Sequence, residues 1–518
     1  MQRYNILWAD DEIDLLKPHI LFLKEKGYDV TPVCSGADAI EKFGEMNYDV
    51  VFLDENMPCI SGLETLNELK ATKPMIPVIM ITKSEEEHIM EEAIGNKIAD
   101  YLIKPINPNQ ILLSIKKILD NKRLVSERTN ISYQRDFRQL GMAFGERLSP
   151  QEWADVYKKL VYWELEIDET DNKSMSDLIT LQKDEANSNF SKFIMENYDD
   201  WLNDPDEETP LMSHELFKKR VFPLMKDSND PVYFILIDNL RYDQWKILEP
   251  IIAENFTVDS EEMYYSILPT TTAYARNAIF AGMLPSEIQK KYPNKWVSDE
   301  EDEGKNLNEA EFLEINFQNN RVTDKFSYNK ITNLNAGKEL LGKFNNLQNN
   351  KLNVIVYNFV DMLSHARTDM AMIRELASDE SAYRSLTRSW FLHSPLIDLI
   401  KMIADKKGKL VITTDHGTIR VKRPFKIVGD RSTNTNLRYK HGKNLGFTEK
   451  DVYVARKPER LFLPKENIST AYVFAIEDYF FAYPNNYNYY VNYYKDTFQH
   501  GGISLEEIII PFITLSAR

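Results

Sequence analysis

A chain of 518 residues that is 43% hydrophobic and 12% aromatic has apolar content for several buried cores and length for about three domains, which excludes a disordered polypeptide. A formal net charge of −17 excludes a protein that coats nucleic acid nonspecifically, because neutralising phosphates takes clustered Lys and Arg. Two cysteines, Cys34 and Cys59, without Cys-x-x-Cys spacing exclude a disulfide scaffold and a cysteine zinc site, and point to a reducing cytoplasm. The chain runs from Met1 directly into a strand pattern and has no uninterrupted apolar stretch of about 18 residues, so neither a targeting segment nor a membrane span is expected.

In chain order, the first elements are apolar runs that each end on a polar residue. Tyr4 to Ala9 precedes Asp10 and Asp11, Tyr48 to Leu53 precedes Asp54, Ile76 to Ile81 precedes Thr82, and Asp100 to Ile103 precedes Lys104. Such runs read as buried parallel strands, whose carboxyl ends gather at the ligand-binding edge of an open α/β sheet. Asp10, Asp11 and Asp54 can hold Mg²⁺ through oxygen, while Lys104 and Thr82 add a cation and a hydroxyl for the oxygens of an acyl phosphate on Asp54.

With the run Leu53 to Gly62 and the pair Lys104-Pro105 as specific pieces, residues 1–122 resemble the receiver domain of two-component response regulators, a flavodoxin-like fold. The resemblance implies phosphorylation of Asp54 by a partner sensor histidine kinase and Mg²⁺ held by Asp10, Asp11, Asp54 and the backbone carbonyl of Asn56. It also implies Thr82 with Tyr101 as the switch pair beside Lys104, and a cis Lys104–Pro105 bond. Lys83 stands where many receivers carry a small residue, which predicts altered access to the phosphoryl group or an altered lifetime.

Residues 123–225 lack strand alternation and read as helices. Arg123 to Arg147 is a charged helical run, and Ser149-Pro150-Gln151-Glu152 predicts a capping box opening the helix Trp153 to Ile167. A second helix, Met175 to Leu202, ends at an acidic, Pro-containing loop, Asn203 to Pro210. These helices are expected to form a small bundle whose Tyr, Trp and Leu faces serve as core or dimer contact.

Beyond residue 225 the strand-like runs again end in candidate ligands: Val232 to Ile237 before Asp238, Val354 to Val360 before Asp361, and Leu410 to Thr414 before Asp415. His365, His416 and His500 join them. Carboxylate and imidazole together suit Zn²⁺ or Mn²⁺, and the set is too large for one tetrahedral ion but fits two. Two ions roughly 4 Å apart can clamp the attacking and leaving oxygens of a displacement at phosphorus. A nucleophile is available in Thr270-Thr271-Thr272, after the predicted strand Met263 to Leu268. Both Thr271 and Thr272 fit, and Arg276, one helical turn beyond Thr272, could hold a phosphoryl oxygen. His393 reads as a surface or core residue of a helical stretch, Tyr383 to Ile403.

Asp238, the Pro-Thr-Thr-Thr segment, Asp361-x-x-x-His365, Asp415-His416-Gly417 and His500-Gly501-Gly502 resemble, in this order, the PglZ branch of the alkaline phosphatase superfamily over residues 226–518. The resemblance implies an alkaline-phosphatase-like α/β domain with one zinc on Asp361, His365 and His500. The other lies on Asp238, Asp415, His416 and the threonine. The whole is thus an α/β multidomain protein: flavodoxin-like receiver, helical bundle linker and phosphatase-like domain.

A basic island, Arg420 to Lys443 with Lys422, Arg423, Arg431, Arg438, Lys440 and His441, is a candidate funnel for phosphorylated or oligonucleotide substrates, with Lys422, Arg423 and His441 as contacts. The acidic stretch Asp299 to Glu303 reads as a solvated loop, and Tyr479 to Tyr494 as packing rather than a base-stacking surface. No helix-turn-helix for direct DNA binding is apparent. The order receiver, helical bundle, PglZ is similar to that of a family of Bacteroidetes response regulators associated with type IX secretion. That similarity implies a sigma factor and secretion components as partners, homodimerisation on phosphorylation, and zinc-dependent hydrolysis of nucleotide-type phosphodiesters, cyclic oligonucleotides among them. The alternative is a non-catalytic PglZ interaction module whose metals are structural.

Overall fold

The apolar runs of the receiver region pair as five parallel strands, β1 (Tyr4–Ala9), β2 (Tyr28–Val33), β3 (Val50–Asp54), β4 (Val78–Thr82) and β5 (Asp100–Ile103), in the order β2-β1-β3-β4-β5. The structure, a computed structural model, describes residues 4–73, 76–83, 98–169, 173–228, 230–297, 307–377, 379–429, 434–465, 467 and 469–518. The predicted acidic loop Asp299 to Glu303 and Arg431 lie outside them. β1, β3 and β4 are apolar on both faces because both are covered. Leu7, Val51, Leu53 and Val78 pack into one cluster and Ile6, Trp8, Phe52 and Ile79 into another. The helices α1 (Lys17–Glu25), α2 (Gly36–Glu45) and α3 (Gly62–Thr72) supply the covering; α3 opens on a capping box of Ser61 and Glu64. This is the flavodoxin-like fold expected.

Residues 1–132 form one unit and 133–518 a second, with α4 (Pro108–Ala143) containing residues of both. The predicted capping box is present: Ser149 Oγ accepts from Glu152 N at 3.3 Å and Ser149 N donates to Glu152 Oε2 at 2.8 Å, opening α5 (Pro150–Asp168). α6 (Lys173–Asn203) follows. These helices pack on one another, Tyr133 against Trp163 and Gln182, and their core continues into that of the large sheet. Trp153, Tyr157, Phe190 and Ile194 belong to the same continuous cluster as Phe234 and Ile513 of the large sheet. A helix with one apolar stripe buries it against the largest apolar surface within reach, here the phosphatase-like unit.

That sheet comprises β6 (Val232–Ile237), β7 (Phe256–Tyr265), β8 (Phe326–Ile331), β9 (Leu352–Tyr357), β10 (Lys409–Thr413) and β11 (Ile509–Ala517), in the order β7-β11-β10-β6-β9-β8. β10, β6, β9 and β8 are parallel, and β11 runs antiparallel between β10 and β7. Helices α7 (Tyr242–Ile252), α8 (Asn277–Ala281), α9 (Glu309–Asn319), α10 (Phe359–Asp369), α11 (Glu380–His393) and α12 (Pro395–Asp405) belong to the same unit. Between β10 and β11 the chain forms small accessory sheets, one from Tyr439–Gly442, Val452–Ala455 and Ala471–Ala475 and another from Arg423–Lys426 with Tyr479–Ala482.

Two predicted boundaries differ. The run Val354 to Val360 is not one strand: β9 stops at Tyr357 and α10 starts at Phe359, so Asp361 sits in a helical first turn rather than at a strand end. The stretch Tyr383 to Ile403 is two helices broken at Ser394-Pro395, with exposed His393 closing the first. Among the described residues, no helix is long and apolar enough to cross a membrane.

Candidate metal centres

The carboxyl ends of β6, β9 and β10 lie side by side, and the turns leaving them carry the ligand candidates. After β6, Asp238 N donates to Tyr357 O at 2.8 Å and Asn239 takes a left-handed φ of 64°, a conformation Asn tolerates well. After β10, Thr414 Oγ1 accepts from Leu240 N at 3.0 Å, tying the Asp415-His416 turn to the β6 turn. In α10, Asp361 and His365 share a face because they are four residues apart. His500 arrives from the loop before β11.

Among the described residues, three groups of carboxylates and histidines have ligand atoms that all lie within 4.8 Å of one another: Asp361, His365 and His500; Asp238, Asp415 and His416; and Asp10, Asp11 and Asp54. In the first, His500 Nε2 and His365 Nε2 each stand 3.5 Å from an Asp361 oxygen. In the second, His416 Nε2 stands 3.9 Å from Asp238 Oδ1 and 3.8 Å from Asp415 Oδ2. The His416 and His500 rings stack with centroids 4.3 Å apart, so the two groups adjoin.

The donors fit a pair of divalent cations. His416 and His500 place Nδ1 3.1 Å from Gly417 O and 3.2 Å from Thr270 O, which orients both rings with Nε2 toward the carboxylates. Burial lowers His416 to about 3 and the neighbouring His500 adds to the drop, so His416 is a neutral donor. Burial raises Asp238 to about 7, with Asp415 and Asp361 adding to the rise and Arg276 opposing it. Burial also works against charge on Asp361 and on His500. The hydrogen bonds and mutual charge of the pair prevail, holding Asp361 well below the carboxylate range and His500 at about 9. The buried Asp238 and Asp415 and the part-buried Asp361 converge where positive charge relieves their repulsion. Asp238, Asp415 and His416 are fully buried, whereas the His365 side chain is 66% exposed, so the centre opens on that side.

Thr272 starts the helical turn Thr272–Arg276, with its hydroxyl 3.3 Å from both Asp238 Oδ1 and His416 Nε2. Thr271 is the buried, extended residue before that turn. Arg276 differs from expectation. Its guanidinium is fully buried and committed to carboxylates, with Nε 2.9 Å from Asp415 Oδ2, Nη1 3.4 Å from Glu309 Oε1, and Nη2 paired with Asp238. It balances charge behind the centre and presents no open face to a phosphoryl oxygen.

The basic island is also corrected. Arg420 pairs with Asp496 at 3.1 Å, Lys422 with Asp184 at 3.6 Å, and Arg423 with Glu477 at 2.5 Å and with Asp478. Arg438 is buried against Glu507 at 2.6 Å, and His441 is buried between Tyr439 and Tyr472, with ring centroids 6.1 and 5.1 Å away. Among the described residues, Arg420, Lys422, Arg423 and Arg438 are thus engaged by neighbouring carboxylates and His441 by ring packing. Sequence reasoning missed Glu309, which nothing in the chain distinguishes from exposed Glu311 and Glu314. It also missed Glu507, whose Oε1 accepts from Gly502 N at 2.9 Å and which fixes the His500 loop.

In the first unit, Asp10 and Asp54 are buried beside exposed Asp11. Lys104 Nζ lies 2.9 Å from Asp10 and 3.1 Å from Asp54. Burial and the Asp10 charge raise the Asp54 carboxyl, against the pull of Lys104. Thr82 is buried at the end of β4, Asn56 and Tyr101 are exposed, and the Lys104–Pro105 bond is cis. Lys83 pairs with Glu12 at 3.0 Å.

Known proteins match the chain in consecutive parts. A model of the response regulator receiver domain matches residues 6–116, one of the PorX response regulator linker domain 123–202, and one of the BREX system PglZ alkaline phosphatase-like domain 216–515. The fold and the receiver site define a two-component response regulator with an alkaline-phosphatase-like output domain. The chain belongs to the PglZ family, in the domain order of a PorX-type response regulator.

Curated relatives match through the receiver. The transcriptional regulatory protein ZraR of Escherichia coli (strain K12) is 32% identical over 125 residues, 24% of this chain and 28% of that protein. ResD of Bacillus subtilis (strain 168) is 32% identical over 115 residues, 22% of this chain and 48% of that protein. The chain therefore spans about half or less of these relatives. Among solved structures, chemotaxis protein CheY4 of Vibrio cholerae is 24% identical over 23% of this chain and 99% of that one, with a TM-score of 0.22. A receiver domain from Clostridium thermocellum is 28% identical over 23% and 98%, with a TM-score of 0.23.

Proposed function

We propose that the protein is a phosphorylation-controlled, zinc-dependent phosphodiesterase acting on nucleotide-type diesters. The observation that carries this reading is the Thr272 hydroxyl, held 3.3 Å from Asp238 Oδ1 and His416 Nε2 where the two donor groups adjoin. Asp361, His365 and His500 would hold one zinc, and Asp238, Asp415, His416 and Thr272 the other. Bound there, the ions supply charge for the oxygens around phosphorus and lower the pKa of coordinated hydroxyls.

Thr272 Oγ1 attacks phosphorus as the P–O bond to the leaving group breaks, and the threonine proton passes to the departing oxygen, which leaves as an alcohol. Water then attacks the phosphothreonine, breaks its P–O bond and restores the hydroxyl. Arg276 keeps Asp238 and Asp415 aimed inward. The open side at His365 favours this reading over a purely structural metal pair, which is closed.

In the receiver, Asp10, Asp11, Asp54 and the Asn56 carbonyl would hold Mg²⁺ while a sensor histidine kinase phosphorylates Asp54, with Thr82, Lys104 and Tyr101 as switch residues. The output we propose is in type IX secretion, with a sigma factor and secretion components as partners, as the family resemblance of the domain order implies. The decisive experiment is hydrolysis of bis-p-nitrophenyl phosphate by zinc-loaded protein. Thr272→Val is expected to lose it by at least about a hundredfold, in the range of a lost nucleophile, while Thr271→Val keeps it. Activity that survives Thr272→Val refutes the nucleophile.

A further inference from the structure

We propose that Asn187, on linker helix α6, is a positioning residue for the metal centre, holding the backbone segment that sets both His416 and His500; this rests on the zinc-centre reading above. Asn187 is 5% exposed, and both ends of its amide are engaged. Oδ1 accepts from Leu505 N at 2.8 Å, and Nδ2 donates to Glu506 Oε2 at 3.1 Å. One turn earlier Lys183 Nζ stands 3.6 Å from Glu506 Oε1, and one turn later Ser191 Oγ donates to Ile503 O at 3.5 Å. A single face of α6, residues 183, 187 and 191, thus grips residues 503–506.

The gripped segment touches both ligand turns. A Cβ on Gly417, the residue after His416, would lie 1.9 Å from Glu506 O, and Gly417 N donates to Glu507 O at 3.3 Å. On the other side, Glu507 accepts from Gly502 N at 2.9 Å, two residues from His500, and is itself held by Arg438 and by Ser504 Oγ at 2.8 Å. A shift of Leu505 or Glu506 therefore displaces both turns. A cavity of about 330 Å³ lined by Lys183, Asn187, Glu164, Arg384 and Glu506 flanks the contact, so hydrogen bonds rather than close packing fix the segment on that side. The linker is by this route part of the metal centre's support, and a displacement of α6 is read out as metal affinity.

The test uses the full chain. Asn187→Leu, which keeps the branching and number of side-chain heavy atoms and removes both hydrogen bonds, is expected to weaken zinc binding in chelator competition about tenfold or more, the scale on which groups behind metal ligands act. In the metal-free protein, amide exchange at Gly417 and Gly502 is expected to speed up with that at Leu505. Ile179→Val, a buried cavity-forming change on the same helix, is expected to lower the melting temperature and leave zinc affinity and those amides as in wild type. Should Asn187→Leu fail to fold, Asn187→Asp, which retains the acceptor for Leu505 N and loses the donor to Glu506, takes the same measurements. Zinc affinity and Gly417 and Gly502 exchange unchanged in a folded variant overturn the proposal. A wild-type chain that binds no zinc refutes the zinc-centre reading instead, while the exchange measurement still decides the clamp.

Discussion

The Arg276 guanidinium faces Asp238, Asp415 and Glu309, none of which reaches solvent. A guanidinium that gives one nitrogen to each of these three carboxylates holds them in orientation, with Asp238 Oδ1 left turned toward Thr272 and His416. Lys440 shows the opposite balance. It is buried with Nζ donating to Asn434 O at 2.7 Å and lying 4.7 Å from the Tyr483 ring, and burial lowers it from 10.5 to about 7. A cation with a depressed folded pKa binds its proton more weakly in the fold than in the unfolded chain. Between about pH 7 and 10.5 the unfolded state holds the extra proton, so this group makes stability rise with pH across that window. Lys440→Met is expected to flatten that slope by up to about 1.4 kcal/mol per pH unit, read from urea unfolding at pH 7, 8 and 9.

At the scale of elements, ligand geometry comes from where strands stop and helices start. α10 begins two residues after β9, which puts Asp361 and His365 on one helical face toward His500. The turn after β10 depends on Gly417, because only a residue without Cβ lets the Glu506 carbonyl pass so near. Gly417→Ala must push that backbone away, and is expected to cost about 1–3 kcal/mol and to weaken zinc binding, checked by denaturation and chelator competition on the same sample. The linker helices α5 and α6 likewise act as part of the phosphatase-like core, through Trp153 and Phe190, rather than as a separate body.

For the whole molecule, the receiver site and the candidate metal centre share one chain, and a phosphoryl group on Asp54 is the proposed input. Acetyl phosphate with Mg²⁺ is expected to shift the protein toward a dimer in sedimentation velocity, and Asp54→Ala to abolish the shift; a phosphoryl adduct mapped elsewhere by mass spectrometry would contradict the assignment. The residues that gather in both candidate sites were legible in the sequence, because apolar strand runs ending in Asp10, Asp54, Asp238 or Asp415 are local patterns. Roles that depend on burial were not. Arg276 reads as a substrate clamp and Arg438 as part of a funnel until the fold sets three carboxylates around the first and Glu507 against the second.

The sequence by itself determined the receiver, helical and phosphatase-like order and the identity of the ligand candidates, since strand periodicity and residue chemistry are local properties. Only the tertiary structure decided that the Thr272 hydroxyl stands beside Asp238 and His416, that Glu309 and Glu507 stand behind the centre, and that α6 reaches the His500 loop. Those facts join residues up to hundreds of positions apart, and charge pairing between them is set by distance and burial, which no local pattern encodes.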